Sequence, residues 1–282
     1  MMTIIMWILR LQIEKISKDM LTKSKAINII LSIFLCFVLL ACEKDGFQTE
    51  EIDSEIRLHL WELIEESGNS LLFKFYTSNY YPCCNYSIDY SFKQNEKSIK
   101  IKLKKIILWN FCLTSPGEAS CFINVGNLST GVYDIDIQIK NNVNKGTLTV
   151  TDSKYAVSFD TNYKMRVYRD EVYRIQKNFY WGEIRYPSDS FEQFVFTLYD
   201  TLEQIGVRVN DYAPGYYGYF TIDEYNKLIR HHPNDHYFAN YATFRFDGKV
   251  AVLYDFLKKY NEKHNSTFKF TINDWKGNWT SF

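Results

Sequence analysis

The chain has 282 residues with 33 basic and 33 acidic side chains, so its formal net charge at pH 7 is zero. Residues 1–41, which we assign below to a signal region, hold five of the basic and two of the acidic side chains, and the other 241 residues carry 28 and 31. This slightly acidic balance lacks the positive surface on which nucleic-acid binding depends, and it excludes nucleic acid as an expected partner.

The first predicted element is an apolar run over residues 26–40, interrupted only by Asn28 and Ser32. It is shorter than the roughly 20 apolar residues that a bilayer-spanning helix needs. Lys23 and Lys25 precede the run, and the small residue Ala41 follows it. A basic segment, a short apolar segment and a small residue in this order predict a secretory signal.

The run LLAC at residues 39–42 resembles the lipobox of bacterial lipoproteins. The resemblance implies that the sulfur of Cys42 receives a diacylglyceryl group, and that this lipid anchors the protein to the outer membrane, on its periplasmic face or at the cell surface. The acidic stretch behind Cys42 also resembles the surface-export signals of lipoproteins from the Bacteroidetes group. The alternatives are a signal cut at another residue and an N-terminal anchor helix.

Two segments flank this signal. Residues 1–19 contain a second apolar run ahead of mixed charges, and we expect translation to start at Met20, which joins a compact basic segment directly to the apolar run. Residues 1–41 are therefore left out of the fold prediction. Residues 42–66 begin with the acidic stretch EKDGFQTEEIDSEIR and predict a solvated tether.

Four cysteines follow the lipobox: Cys83, Cys84, Cys112 and Cys121. An even number in an exported chain predicts two disulfides. A bond between the neighbours Cys83 and Cys84 would strain the geometry, so each of them is expected to pair with one of the two later cysteines. The alternative is a zinc site of four thiolates, although the spacing does not match the usual pairs of zinc ligands.

Residues 67–160 show the period-two pattern of half-buried strands. The alternation is clearest over residues 133–139, where tyrosine and isoleucine occupy every second position between polar residues. The predicted strands cover residues 71–76, 86–92, 99–103, 122–125, 133–139, 147–150 and 155–159. Their number and the turns between them predict an immunoglobulin-like β-sandwich. The phrase GNLSTGVYDIDIQIKNN also resembles the strand entry of sandwich modules in bacterial adhesins and carbohydrate-associated proteins.

Residues 161–282 predict an α+β domain in which helices alternate with strands. Helical spacing predicts helices over residues 191–205 and 250–260, and a third between Thr221 and Pro233. The predicted strands cover residues 164–168, 180–186, 216–221, 241–246 and 267–272. The whole chain is thus predicted to be α+β, with a soft boundary near Asp160.

Two groups of residues are candidate sites. His231, His232 and His236, with Asp235 beside them, could ligate a metal or relay protons, whereas a solvated loop explains them equally well. Aromatic side chains form the second group, and they suit stacking on sugar rings or on partner side chains, with burial in a core as the alternative. These are Tyr216, Tyr217, Tyr219, Trp275 and Trp279.

The expected activity is binding rather than catalysis. The chain has no nucleophile elbow, no phosphate-binding loop and no dinucleotide fingerprint, and it identifies neither a catalytic residue nor a cofactor site. We expect a lipid-anchored envelope lipoprotein that acts as an interaction module, with a glycan or another envelope protein as its ligand. The alternatives are a surface hydrolase that uses the residues from His231 to His236, and an immunity or inhibitor lipoprotein.

Overall fold

The computed structural model describes residues 48–109, 112, 115–230 and 238–282, and Gln48–Phe282 form one unit. The predicted signal region, Cys42 and the cluster from His231 to His236 lie outside the described residues. No helix in the described ranges has the length and the apolar character that crossing a bilayer requires.

Eleven strands form one large sheet. In chain order they are β1 Gln48–Glu51, β2 Ile56–Leu63, β3 Ser70–Tyr81, β4 Ser87–Asn95, β5 Ser98–Leu108, β6 Gly117–Gly126, β7 Gly131–Ile139, β8 Asn142–Val150, β9 Lys154–Phe159, β10 Met165–Arg169 and β11 Glu171–Tyr173. Their apolar residues alternate with polar ones, and the apolar face is buried in a shared core. In β7, for example, Tyr133, Ile135, Ile137 and Ile139 are all buried.

The two edges of this sheet meet. The strand order runs β10, β2, β3, β6, β4, β5, β7, β8, β9, β11, with β1 paired on β5. Strand β10 ends at Arg169, which lies beside β2, and β11 begins at Glu171, which lies beside β9. Only Asp170 separates these two residues in the chain, so the sheet curls until its first and last strands are neighbours. It is a mixed sheet, in which β10 with β2, β4 with β6 and β5 with β7 are parallel.

The predicted α+β class with an immunoglobulin-like β-sandwich is wrong. Among the described residues, strands hold 53% and helices 13%, and the large sheet is nearly closed and barrel-like. The period-two pattern identifies which face of each strand is buried, but it does not say which strands pair. The parallel pairs and the meeting of β10 with β11 depend on contacts between residues that are distant in the chain.

Strands β1 and β2 lie within residues 42–66, where the acidic composition predicts a tether. Strand β2 buries Ile56, Leu58 and Leu60 completely and pairs with β3 on one side and β10 on the other. Strands β10 and β11, on the C-terminal side of Asp160, complete the same sheet.

The remainder of the described chain forms two smaller sheets and two helices. The elements are β12 Phe179–Arg185, α1 Glu192–Gln204, β13 Arg208–Val209, β14 Gly215–Tyr216, β15 Phe220–Ile222, β16 Leu228–Arg230, β17 Ala239–Arg245, α2 Val250–Lys263, β18 Lys269–Asp274 and β19 Trp279–Ser281. Five of the strands form an antiparallel sheet in the order β13, β17, β12, β18, β19. The predictions of helices over residues 191–205 and 250–260 are confirmed.

Both helices bury their apolar stripes in a second core with this sheet. Val195, Leu198 and Leu202 of α1 and Leu253 and Leu257 of α2 belong to that core. The central strand β12 has a glycine at position 182, where a Cβ would collide with the backbone of β18 at Thr271 and Ile272. Glycine therefore lets the central strands approach closely at this point.

The predicted helix between Thr221 and Pro233 is wrong over the residues that the structure describes. Strands β14, β15 and β16 form a small three-stranded sheet there. The carboxylate of Asp223 accepts the backbone N–H groups of Tyr225 and Lys227, and Asn226 adopts a left-handed φ of 59°. This is turn chemistry, and it brings β15 and β16 together as a hairpin.

One of the two predicted disulfides is formed. Cys83 is bonded to Cys112, which is one of the two partners that the sequence left open for it. Cys84 is exposed and Cys121 is buried, and both carry free thiols. The second expected disulfide is therefore absent from the described cysteines.

Candidate functional site

The candidate site is a cleft of about 200 Å³ on the outer face of the large sheet, where β10, β2, β3 and β6 lie side by side. Because every second residue of a strand points outward, the inward packing of these strands presents a fixed set of side chains to solvent. The cleft is lined by Arg57, His59, Trp61, Lys74, Tyr76, Glu118 and Tyr216. Six of the seven come from β2, β3 and β6, and Tyr216 comes from β14.

Aromatic rings form much of this face. The imidazole of His59 stacks on Tyr168 with ring centroids 5.0 Å apart, and it meets the edge of Tyr76 at 5.5 Å. Tyr76 in turn contacts Phe122 at 5.8 Å. Tyr168 and Phe122 are about half exposed, at 53% and 50%. Ring faces and edges are thus open to a ligand along the rim of the cleft.

The small hairpin sheet supplies one wall. The ring of Tyr219 lies 4.9 Å from Trp61, and its hydroxyl accepts the backbone N–H of Ile64. Gly218, which precedes Tyr219 in the chain, has a φ of 82°, and a Cβ there would lie 3.4 Å from the Trp61 ring. Glycine at this position allows the backbone to pass across the indole.

Basic side chains lie between the rings. The ammonium of Lys74 is 3.2 Å from the centroid of the Trp61 ring, and the guanidinium of Arg169 is 4.9 Å from that of Tyr216. The guanidinium of Arg57 pairs with the carboxylate of Glu118. The arrangement combines cation–π contacts with one ion pair.

The protonation states in the cleft reflect burial and the neighbouring positive charges. Burial lowers the pKa of His59 to about 4, helped by the nearby Arg57, Arg169 and Lys74. The imidazole is therefore neutral at pH 7, with one donor and one acceptor nitrogen. Burial also lowers the pKa of Lys74 to about 8, so its ammonium is mainly protonated at neutral pH.

The aromatic residues predicted from the sequence fall in different places. Tyr216 lines the cleft and Tyr219 supports its wall. Tyr217 is 2% exposed and stacks on Phe220 in a core at the base of the hairpin. Trp275 is partly buried against two cores, and Trp279 is 69% exposed on β19. Neither tryptophan lines the cleft.

The predicted metal or hydrolase site cannot be placed, because His231, His232, Asp235 and His236 lie outside the described residues. Within the described ranges, no group of three or more His, Cys, Asp or Glu side chains is arranged to hold a metal ion. The hydrolase alternative and the immunity or inhibitor alternative stay predictions.

A second cleft, of about 460 Å³, lies between α1 and α2. Its lining is largely apolar, with Phe194, Phe256 and Tyr260 among the contributing side chains. Lys259 at its rim is already paired with Asp255. Thr197 and Thr201 also line it, but their hydroxyls already donate to backbone carbonyls of α1, whereas polar groups directed into the cleft are what marks a binding site.

The sequence prediction missed most of the cleft. The residues Arg57, His59 and Trp61 fell within the predicted tether, although they alternate with Ile56, Leu58 and Leu60. That alternation is a strand signal, and it would have placed an arginine, a histidine and a tryptophan on one outward face. Lys74 and Glu118 carry no local signal, because only strand pairing brings them to β2.

No protein-family model matches this chain, and neither the curated proteins nor the solved structures contain a significant match to it.

Proposed function

We propose that the protein is a lipid-anchored envelope lipoprotein that binds a glycan in the cleft on the outer face of the large sheet. One observation carries this proposal: aromatic rings and hydrogen-bonding side chains line one concave surface, with the partly buried Trp61 and Tyr76 beside Arg57 and His59. Sugar rings present apolar C–H faces together with hydroxyl groups, so they need both kinds of contact at once.

The size and depth of the cleft support a glycan rather than a deeply buried ligand. Pockets for drug-sized ligands measure about 300 to 1,000 Å³ and enclose most of the ligand. The cleft here is about 200 Å³, and the half-exposed rings of Phe122 and Tyr168 contact its lining residues Tyr76 and His59. Such a surface suits one sugar unit of a longer chain that continues across the sheet.

The acidic groups favour binding over hydrolysis. Most glycoside hydrolases act with a pair of carboxyl groups about 5 to 10 Å apart on either side of the scissile bond. Among the described residues that line the cleft, Glu118 is the only carboxylate, and Arg57 already engages it. The cleft therefore offers contacts to a sugar without the acid and base of that mechanism.

Lipid attachment at Cys42 would locate the cleft at the cell envelope. The anchor would attach the described chain to the membrane. A glycan receptor in that position would meet polysaccharide at the envelope.

The proposal is tested by a binding measurement with the full chain against immobilised and soluble oligosaccharides. We expect Trp61→Ala to weaken binding at least about tenfold, because a buried aromatic anchor at the centre of an interface contributes about 1 to 2 kcal/mol or more. Tyr76→Ala is a second variant on the neighbouring strand, and it is expected to act in the same direction. Circular dichroism checks that both variants are folded.

Trp279→Ala is the matched control, because it removes an exposed indole outside the cleft. Its affinity should equal that of the wild type. Binding that survives both cleft variants, or that is lost with Trp279→Ala alone, would contradict the assignment of the cleft. A wild-type chain that binds no oligosaccharide would overturn the proposed function.

A further inference from the structure

The charged groups of the cleft do not balance. Arg57 and Lys74 line it, Arg169 lies against its lining residue Tyr216, and the carboxylate of Glu118 neutralises only Arg57. Arg166 adds a further exposed positive charge on β10, with its guanidinium 5.9 Å from the Tyr168 ring. The cleft therefore has a positive excess, although the chain behind the lipobox is slightly acidic as a whole.

In the described part of the cleft, Lys74 is the cation that is partly desolvated without an anionic partner. Its ammonium lies against Trp61 at 3.2 Å and faces Phe122 at 5.8 Å, so aromatic rings replace part of its hydration shell. Within the described residues, no carboxylate lies within ion-pair distance of this ammonium. An ammonium that has lost water without gaining an anion is unfavourable, and an incoming anion would offset that cost.

The other cations surround the same place. In the register of the sheet, Lys74 of β3 lies opposite His59 of β2, and Arg169 of β10 lies on the far side of His59. The neutral imidazole thus separates two positive charges that are close enough to act on it electrostatically. An anionic group placed over His59 would be attracted from both sides.

Resting on the proposed function, we infer that the glycan is acidic and that a carboxylate or sulfate on its sugar unit pairs with the ammonium of Lys74 while the ring contacts the neighbouring aromatic faces. A charged hydrogen bond to an ammonium contributes more than a neutral one, so an acidic sugar would bind more tightly than a neutral sugar of the same size. Uronic acids and sulfated sugars share this chemistry.

The experiment compares three probes on the full chain: an oligogalacturonate, which carries carboxylates, a heparin-derived oligosaccharide, which carries sulfates, and a neutral malto-oligosaccharide of the same length. The wild type is expected to bind at least one acidic probe at least tenfold more tightly than the neutral one. Lys74→Gln should reduce acidic binding at least about tenfold more than neutral binding, and Lys74→Arg should restore most of it.

Lys97→Gln is the matched control. Its ammonium also lies over a tyrosine ring, 4.4 Å from the centroid of Tyr133, but it does not line the cleft. Acidic binding should be unchanged in this variant. The tighter of the two acidic probes identifies carboxylate or sulfate as the preferred group.

The pH dependence gives an independent readout. The ammonium form of Lys74 is the form that would pair with an anion, so affinity for the acidic probe should fall as the pH rises through and above about 8. Affinity for the neutral probe should not follow that profile. Equal affinity for acidic and neutral probes, with equal effects of Lys74→Gln on both, would overturn this inference and leave glycan binding intact, whereas failure of all three probes to bind would overturn both.

Discussion

Glu62 is a carboxyl group on the inward face of β2, in line with the buried Ile56, Leu58 and Leu60. It is fully buried, and burial raises the pKa of its carboxyl group to about 7. The backbone N–H of Ile175 donates to one of its oxygens at 2.5 Å, and the Arg174 guanidinium lies 3.8 Å from the other. These contacts counteract the rise in pKa only in part. Glu62 thus connects the large sheet to the chain that leads into β12.

The raised pKa makes stability depend on pH. Between about pH 4.5, the ordinary value for this carboxyl, and pH 7, the folded state holds a proton that the unfolded state has lost. The contribution of Glu62 to the free energy of unfolding should therefore be highest below pH 4.5. It should decline by up to about 3 kcal/mol as the pH rises to 7. Urea denaturation followed by fluorescence across this range measures the decline.

Glu62→Gln replaces the titrating group by a neutral one of the same shape. The variant should lose this part of the pH dependence and should be at least as stable as the wild type above pH 7. Glu66→Gln, at an exposed position in the turn after β2, is the control. Its free energy of unfolding should depend on pH in the same way as that of the wild type. A wild-type curve that rises over the same interval, with Glu62→Gln lying on it, would show that the carboxyl is ionised in the folded state.

At the scale of elements, the cysteines show how neighbouring residues in a chain can have separate roles. Cys83 follows β3 and is bonded to Cys112 in the connection from β5 to β6. The backbone N–H of Cys84 donates to the carbonyl of Ser115, so the same two connections are also joined by a hydrogen bond. Cys121 points inward from β6, and burial raises the pKa of its thiol to about 12.

This arrangement predicts an order of alkylation. Cys84 should react with iodoacetamide in the native protein. The rate for Cys121 should be lower by a factor of at least about a hundred, because this thiol is buried and only the thiolate is nucleophilic. Unfolding without a reductant should expose Cys121, and Cys83 and Cys112 should react only after reduction. Peptide mapping by mass spectrometry provides the measurement. A linked pair of peptides containing Cys84 and Cys121 would restore the expectation of two disulfides.

The helices and the hairpin show where element prediction succeeds. The stripes of α1 and α2 repeat at helical spacing over 13 and 14 residues, and both helices were predicted from that pattern. The segment after Thr221 carries a shorter pattern, with Leu228 and Ile229 adjacent and Asn226 available for a left-handed turn. In a short segment the side-chain hydrogen bonds of Asp223 outweigh a weak helical signal.

At the scale of the whole molecule, the proposed lipid anchor at Cys42 would decide where the protein binds its ligand. Expressed in a bacterium that processes lipoproteins, the native protein should partition into the detergent phase of a Triton X-114 extraction. Cys42→Ser should move it to the aqueous phase or leave the signal uncut. Cys36→Ser, within the apolar run, is the control and should behave like the native protein. Partition of the native protein into the aqueous phase would contradict lipidation.

The sequence by itself determined which residues of most strands face inward and both described helices, because these depend on periodicity. It left open whether Cys83 pairs with Cys112 or with Cys121, and the tertiary structure decided for Cys112. The tertiary structure decided the pairing of strands and the meeting of β10 with β11. It also decided the cleft, whose residues range from Arg57 to Tyr216. A period of two specifies a face but no partner, so side chains that meet only across paired strands leave no local trace in the sequence.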